Sequence, residues 1–300
     1  MIVVMGATGS TGSALLHRLT SLGVPVRALT RDPARLRARL GSPTGGSPAA
    51  GVEIRAADAA DPVTLRAAFE GADQLFLTMA NSPAQAALEG NAVEAAARSG
   101  IRHVVKLSAP GVGADSPVAV SRWHHAVEQQ LLASGLPHTL LRPYAFMQKL
   151  LLLGPEIAAR GVLYGAMADA PCNYVDCRDI ADVAAAVLTR PELAGRTYTL
   201  TGDRAYSHPE LAHLLGTLLG HPVRHLDLGA EGLRRHLLEH AGMPGWLAAH
   251  VAEIQQLAVD RPETPTTTVA GILGRPPRSL EAFLHEHLGA FRPGPARDTR

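Results

Sequence analysis

Three glycines near the start of the chain, Gly6, Gly9 and Gly12, are spaced three apart between an apolar run, Ile2 to Met5, and a helix-like stretch, Ala14 to Leu19. A strand feeding such a turn and then a helix is suited to holding a pyrophosphate; the triplet alone would say little. Gly6 allows the tight turn off the strand end. Gly9 lets backbone N–H groups approach the anion, and Gly12 lets the helix pack on the sheet. The helix start adds N–H groups with no partner and the positive end of its dipole. Thr8, Ser10 and Thr11 bring hydroxyls to the same place.

The residues after the second strand, Val24 to Leu29, select the nucleotide. An acidic residue there would hold the ribose hydroxyls of NAD. Here Thr30 is followed by Arg31, whose planar fork suits a phosphate, so the expected cofactor is NADP(H). Asp32-Pro33 reads as a helix cap pointing away from the ribose. Asp58, after the third strand, is placed to accept from the adenine amino group, or else to act as a turn residue. Thr78, Met79 and Ala80, beyond the fourth strand, are expected to line the adenosine and ribose side of the crevice.

The elements that must position these residues alternate, strand then helix, as in an α/β, doubly wound parallel-sheet Rossmann fold. Strands are expected at 52–56, 75–78, 103–107 and 138–142, with helices at 34–40, 84–99 and 117–134. Gly41 to Gly51 reads as a flexible loop. The division expected is 1–150 as the nucleotide-binding domain, rejoined by 175–201, and 151–300 as a smaller, mainly helical C-terminal lobe. Thr197 to Thr201 is the strand returning to the sheet, Leu150 to Leu153 is expected to be core, and the last ten residues a frayed tail.

Composition narrows the partners. The 300 residues carry a formal net charge of +1, which gives no electrostatic case for nucleic acid. Only Lys106 and Lys149 are lysines. Cys172 and Cys177 are too few for a disulfide framework and are not expected to bond to each other. No apolar run reaches the ~20 residues of a membrane span, and the chain opens directly on a strand, so a cytoplasmic protein with no leader is expected. A homodimer is the assembly kept open. The His236-x-x-Glu239-His240 pattern resembles a metal-site motif, but it falls in the C-terminal helical lobe of a histidine-rich chain, and no metal is expected.

Taken together, Gly6 to Gly12, Val26 to Pro33, Val104 to Ala109, Arg122-Trp123-His124, Leu141-Arg142-Pro143 with Phe146-Met147-Gln148, Val175-Asp176 with Arg178 to Ala181, and Gly274 to Pro277 resemble the NmrA-like branch of the atypical short-chain dehydrogenases/reductases. The resemblance spans nearly the whole chain. It implies an NADPH-binding domain, with Pro143 at the cofactor cleft and a small lobe shaping a substrate site. It leaves open quinone or azo-dye reduction and redox sensing without turnover.

Ordinary members of the wider superfamily place a serine after strand five and a tyrosine and lysine four residues apart on the next helix. Ser108 holds the serine place, but the tyrosine place falls on Val120 and the lysine place on His124. Ser108 and His124 are therefore the expected catalytic residues, beside the nicotinamide. Without a tyrosine donor, ketone reduction is disfavoured. An extended acceptor whose reduced form is a stabilised anion is not. Tyr144, Phe146 and Met147, with Tyr174 on a returning loop, are expected to form an aromatic and thioether wall for a flat acceptor. The leading expectation is an NADPH-dependent oxidoreductase passing hydride to a small conjugated acceptor (quinone-like, azo or imine). An NADP(H)-sensing regulator without turnover and a biosynthetic enzyme using the cleft for a non-redox step are the rivals.

Overall fold

The computed structural model describes residues 1–40 and 51–293. The flexible loop expected at Gly41 to Gly51 lies, except for Gly51, outside the described residues. The chain runs β1 (Ile2–Val4), α1 (Ser10–Ser21), β2 (Val26–Thr30), α2 (Pro33–Leu40), β3 (Val52–Ala56), α3 (Pro62–Phe69), β4 (Gln74–Leu77), α4 (Gln85–Ala97), β5 (His103–Leu107), α5 (Ala119–Ser134) and β6 (His138–Pro143). It continues through β7 (Ala145–Phe146), α6 (Gly154–Arg160), β8 (Val162–Gly165), β9 (Cys172–Val175), α7 (Cys177–Thr189) and β10 (Thr197–Leu200). The last elements are β11 (Ala205–Tyr206), α8 (His208–Leu219), β12 (Arg224–Asp227), α9 (Gly229–Glu239), α10 (Gly245–Asp260), α11 (Thr268–Leu273) and α12 (Leu280–Glu286).

The chain divides into two compact units. The first comprises Met1–Pro143, Cys177–Leu200 and Ala270–Gly274; the second comprises Tyr144–Asp176, Thr201–Val269 and Arg275–Arg300. The first unit is the doubly wound fold read from the sequence. Its seven strands are all parallel, in the order β10-β6-β5-β4-β1-β2-β3. The returning strand pairs Thr197 with Leu140 and Leu200 with Pro143. The order reverses between β1 and β4, and ligands of open α/β sheets bind at such a switch point, outside the strand C-termini.

Local chemistry sets the helix starts. Asp32 Oδ1 accepts from Arg35 N at 2.9 Å and Asp61 Oδ1 from Val63 N at 2.9 Å, each supplying a partner for an amide of the first turn. The one charged residue inside the otherwise apolar centre of β2, Arg27, is buried because it is fully used. It donates to Glu53 at 2.9 Å and to the carbonyls of Ala68 and Glu70 at the end of α3, at 2.8 and 2.7 Å.

The second unit has its own core, built from Met147, Leu150, Ile157, Leu163, Tyr206, Phe283 and Phe291. A three-stranded sheet, β11-β9-β7, puts β9 in the middle; β8 and β12 form a separate parallel pair. Four expectations are corrected here. Asn173 and Tyr174 lie in β9, not in a loop, since both are buried and paired to strands on either side. Strand two starts at Val26 rather than Val24. The Leu150–Leu153 run winds as a 3-10 helix, whose tight turn leaves Leu152 67% exposed while Leu150 is core. The tail is held as far as Phe291, which is completely buried; residues 294–300 lie outside the described ones.

Candidate cofactor and active site

The glycine turn is tighter than the spacing alone requires. Gly6 has φ +66°, and a Cβ there would stand 2.7 Å from both the carbonyl oxygen and Cγ2 of Thr78. The structure thus packs Thr78 against the turn. A Cβ on Gly12 would stand 2.2 Å from the carbonyl oxygen of Gly6. Gly12 therefore lets the helix approach the turn itself. Gly9 gives its amide to Gly6 O at 2.9 Å, closing the turn. The amides of Ser10, Thr11 and Gly12 open α1 and have no acceptor within the helix.

Thr11 adds a specific observation. It is 5% exposed, and its hydroxyl oxygen is buried without a hydrogen-bond partner. A buried hydroxyl with no partner is unfavourable unless something completes it. At a helix N-terminus, beside amides that point outward, a phosphate oxygen is the group that fits.

Of the nucleotide-selecting residues, Thr30 is half-buried. Thr30 Oγ1 accepts from Asp32 N at 3.1 Å, and Arg31 is exposed. Arg39, from α2, donates to the Thr8 carbonyl at 2.8 Å and ties that helix to the turn. Asp58 accepts from Ala60 N at 2.9 Å, a turn contact that leaves its second oxygen available. Met79 and Ala80 follow Thr78 off the end of β4, and Pro143 ends β6.

Ser108 lies just past the end of β5, and its hydroxyl donates to Glu128 Oε1 at 2.6 Å. Glu128, on α5, is gripped by Arg142 at 2.5 and 3.1 Å in a two-point pair. With its proton given to Glu128, the Ser108 oxygen faces any further partner as an acceptor. His124 is buried one turn before Glu128, and Val120, at the tyrosine place, is buried too. Lys106 Nζ is 3.2 Å from His124 Nδ1. An ammonium only donates, so Nδ1 accepts, and the Gln85 side-chain N–H, 3.2 Å away, is a second donor aimed at the same atom.

Lys106 and its partners are the residues sequence reasoning missed. Lys106 is completely buried, with Nζ 3.0 Å from Glu89 Oε2 and 3.2 Å from Oε1, and it also donates to the Leu107 carbonyl. Glu89, on α4, is equally buried. Burial pushes its carboxyl above the usual carboxylate range, while the Lys106 ammonium, Gln85 and the Met79 amide pull it back. The signal in the sequence was a lysine inside an apolar strand, in a chain with two lysines. What it could not supply was the glutamate, 17 residues away on a helix.

Of the acceptor-wall residues, Tyr144 and Phe146 are partly exposed, whereas Met147 and Tyr174 sit in the second unit's core. The two cysteines are free and buried, and among the described residues no group of three metal-ligating side chains occurs. No helix of the described residues is long and apolar enough to cross a membrane.

Comparison with known proteins agrees with this geometry. A family model described as NAD(P)H-binding matches residues 6–191. An NAD(P)H azoreductase of Xenophilus azovorans is 34% identical over 292 residues, 97% of this chain and 99% of that protein. A (4-alkanoyl-5-oxo-2,5-dihydrofuran-3-yl)methyl phosphate reductase of Streptomyces griseus is 36% identical over 299 residues, 98% of this chain and 100% of that protein. The crystal structure of an NADPH-dependent quinone oxidoreductase of Escherichia coli in complex with NADPH superposes with a TM-score of 0.84 at 28% identity, covering 96% of this chain and 100% of the other. With a nucleotide-binding turn of this shape and relatives aligned from end to end, the chain belongs to the NAD(P)H-binding family of Rossmann-fold reductases.

Proposed function

We propose that the chain is an NADPH-dependent reductase of small conjugated acceptors, in the class that joins azo compounds, quinones and unsaturated lactones. The observation that carries this reading is the buried, partnerless Thr11 hydroxyl beside a helix start that only glycine at position 12 can pack so closely. Relatives named for azo, dihydrofuranone and quinone reduction support it, since each named acceptor contains a conjugated π-system.

On this reading, Ser10, Thr11 and Gly12 hold the pyrophosphate, with Gly6 and Gly9 shaping the turn that presents them. Thr30 and Arg31 receive the 2′-phosphate, and Asp58, Thr78, Met79 and Ala80 border the adenosine. When bound, the nicotinamide supplies hydride. Ser108, whose proton is committed to Glu128, accepts from a hydroxyl or amide N–H of the cofactor and so orients it. His124 is held in one tautomer by Lys106 and acts as a rigid neighbour of that site. Tyr144 and Phe146, partly exposed, offer the apolar surface for a flat acceptor, with Met147 and Tyr174 in the core of the same unit.

The test is NADPH oxidation followed by absorbance against a quinone, an azo dye and an unsaturated lactone, beside calorimetric NADPH binding. Turnover of at least one acceptor is expected. Gly12→Ala should weaken NADPH binding at least ~100-fold, since its methyl must displace the turn. Tight NADPH binding with no oxidation by any acceptor would overturn the reductase reading in favour of a nucleotide sensor. Arg31→Ala should narrow the preference for NADPH over NADH about tenfold; an unchanged preference removes Arg31 from the phosphate site.

A further inference from the structure

Lys106 and Glu89 do more than neutralise each other. The three N–H donors of the buried ammonium are all matched: Glu89 Oε2 lies at 3.0 Å, His124 Nδ1 at 3.2 Å, and the Leu107 carbonyl takes the third. Glu89 in turn accepts the backbone N–H of Met79. Both side chains are completely shut off from water, so neither exchanges these partners for solvent. One ion pair therefore holds the exits of β4 and β5 and ties them to α4 and α5. All of these residues belong to the first unit.

The peptides at those two exits shape the crevice. In a trans peptide the C=O and the N–H point opposite ways. With the Met79 N–H given to Glu89, the Thr78 carbonyl is turned away from the ion pair. It is this oxygen that would stand 2.7 Å from a Cβ on Gly6. The peptide that ends β5 is held at both poles. Its carbonyl, from Leu107, accepts from Lys106, and its N–H, from Ser108, donates to Leu141 O on β6 at 2.7 Å. The backbone under Ser108 is thus fixed separately from its hydroxyl, which Glu128 holds at 2.6 Å. A fold that needed only stability here would be served as well by a close-packed apolar pair. An apolar pair could not orient two peptides.

We propose that Lys106 and Glu89 are positioning residues of the nucleotide site, setting the Thr78–Met79 and Leu107–Ser108 peptides in their working orientation before the cofactor arrives. This rests on the reductase reading above. Being buried, both act through their partners. Glu89 works through Met79 on the Gly6 turn, and so on nucleotide affinity. Lys106 works through Leu107, Ser108 and His124, and so on the step in which hydride leaves.

Two double variants separate these roles from simple support of the fold. Lys106→Met with Glu89→Leu removes every hydrogen bond of the pair and leaves no unpaired charge. Lys106→Met with Glu89→Gln also leaves no unpaired charge, but keeps an acceptor for the Met79 N–H. Calorimetric NADPH Kd, kcat with an acceptor that the wild type reduces, and the thermal midpoint are measured on both. The first variant should bind NADPH about tenfold more weakly, the worth of one fixed hydrogen bond. Its kcat should fall about 30- to 100-fold, because Ser108 and His124 are displaced. In the second, Kd should return to within about threefold of wild type while kcat stays low. Losses in Kd and kcat that simply follow the thermal midpoint, or a Kd equally weak in both variants, would overturn the proposal.

Hydrogen exchange decides the matter without a variant. In the nucleotide-free wild type, the amides of Met79 and Ser108 should exchange as slowly as those inside β4 and β5, because both are already bonded. Amides that exchange freely until NADPH is added would show that the cofactor orders these peptides, and would overturn the proposal even if neither double variant folds. A wild type that binds NADPH but reduces nothing removes the reductase reading alone, and the Kd comparison and the exchange rates still judge this proposal. An active wild type with freely exchanging Met79 and Ser108 amides removes this proposal alone.

Discussion

Two glutamates, Glu89 in the first unit and the half-buried Glu263 in the second, are treated in opposite ways. Glu89 has a lysine ammonium at 3.0 Å, while Glu263 has a backbone amide, a thiol and nearby phenols. Burial raises both carboxyls. The difference is what remains after that: a partner charge makes Glu89 half of an ion pair, while the groups against Glu263 are a backbone N–H and a thiol. An interior ion pair is a fixed strut, since neither member can leave its charge behind. A lone carboxyl is free to change its proton at ordinary pH. The first unit thus uses its buried charge for position, and in the second the carboxyl's charge follows pH.

The largest effect expected from breaking this contrast is in the first unit. Lys106→Met leaves Glu89 buried with no opposite charge and should destabilise the protein by about 3–5 kcal/mol in denaturant unfolding. Glu89→Gln in the same background should recover much of that loss, because the orphaned charge is gone. If the double variant is no more stable than Lys106→Met, the pair is not the strut described.

Glu263 should behave in the reverse sense. Its folded-state carboxyl is raised to about 7 from an ordinary 4.5, so the folded protein holds a proton that the unfolded chain has already released. The stability penalty grows as pH rises from about 4.5 to 7 and is complete above that, at roughly 3 kcal/mol. Glu263→Gln should therefore gain stability relative to wild type at pH 8 and little at pH 4.5, in paired thermal or denaturant melts. A pH-independent difference would show that Glu263 is ionised in the folded state. His208, in the same unit, works from the other side. Burial and then His225 lower its imidazole to about 4, so its stability contribution is present above about 6.5 and is lost as pH falls toward 4. His208→Gln should flatten the acid side of the melt by up to about 3 kcal/mol. An unchanged acid limb would show that His208 titrates normally.

This contrast also explains what could be read from the residues in order. The nucleotide turn was legible because all of its parts, strand, glycines and helix start, lie within fifteen consecutive residues. So were the strands of the first unit, each bounded by turn residues, and the cap at Asp32. The ion pair was half legible: Lys106 stands out in an apolar strand, but Glu89 looks like any helix glutamate until α4 is packed against β5. Glu263 was not legible at all. Arg261-Pro262-Glu263-Thr264-Pro265 has the composition of a connecting loop, and the partner of its carboxylate is the backbone N–H of Asn173, 90 residues earlier. Tyr174 was misplaced for a related reason. The middle strand of a small sheet is defined by its two neighbours, β7 and β11, which are two residues long and give no periodic signal of their own.

Arg142 and Glu128 supply the smallest and finest test, because their pair lies between the two extremes. Glu128 is nearly buried, but the Arg142 side chain is 31% exposed, so water shares in solvating its charge. Arg142→Gln should then destabilise by only about 1–2 kcal/mol, well below Lys106→Met, with part of the loss screened. Its second consequence is chemical. Glu128 also accepts the Ser108 proton at 2.6 Å, and without Arg142 the carboxylate is free to swing away from the serine. Ser108 would then lose its fixed role as an acceptor, and NADPH should bind more weakly by a factor of a few while thermal stability changes little further. Ser108→Ala should reproduce the weaker binding without the stability loss, and in the Ser108→Ala background Arg142→Gln should no longer affect binding. Additive binding losses in the double variant would show that Arg142 touches the nucleotide by its own route and that the Glu128 relay is not how Ser108 is held.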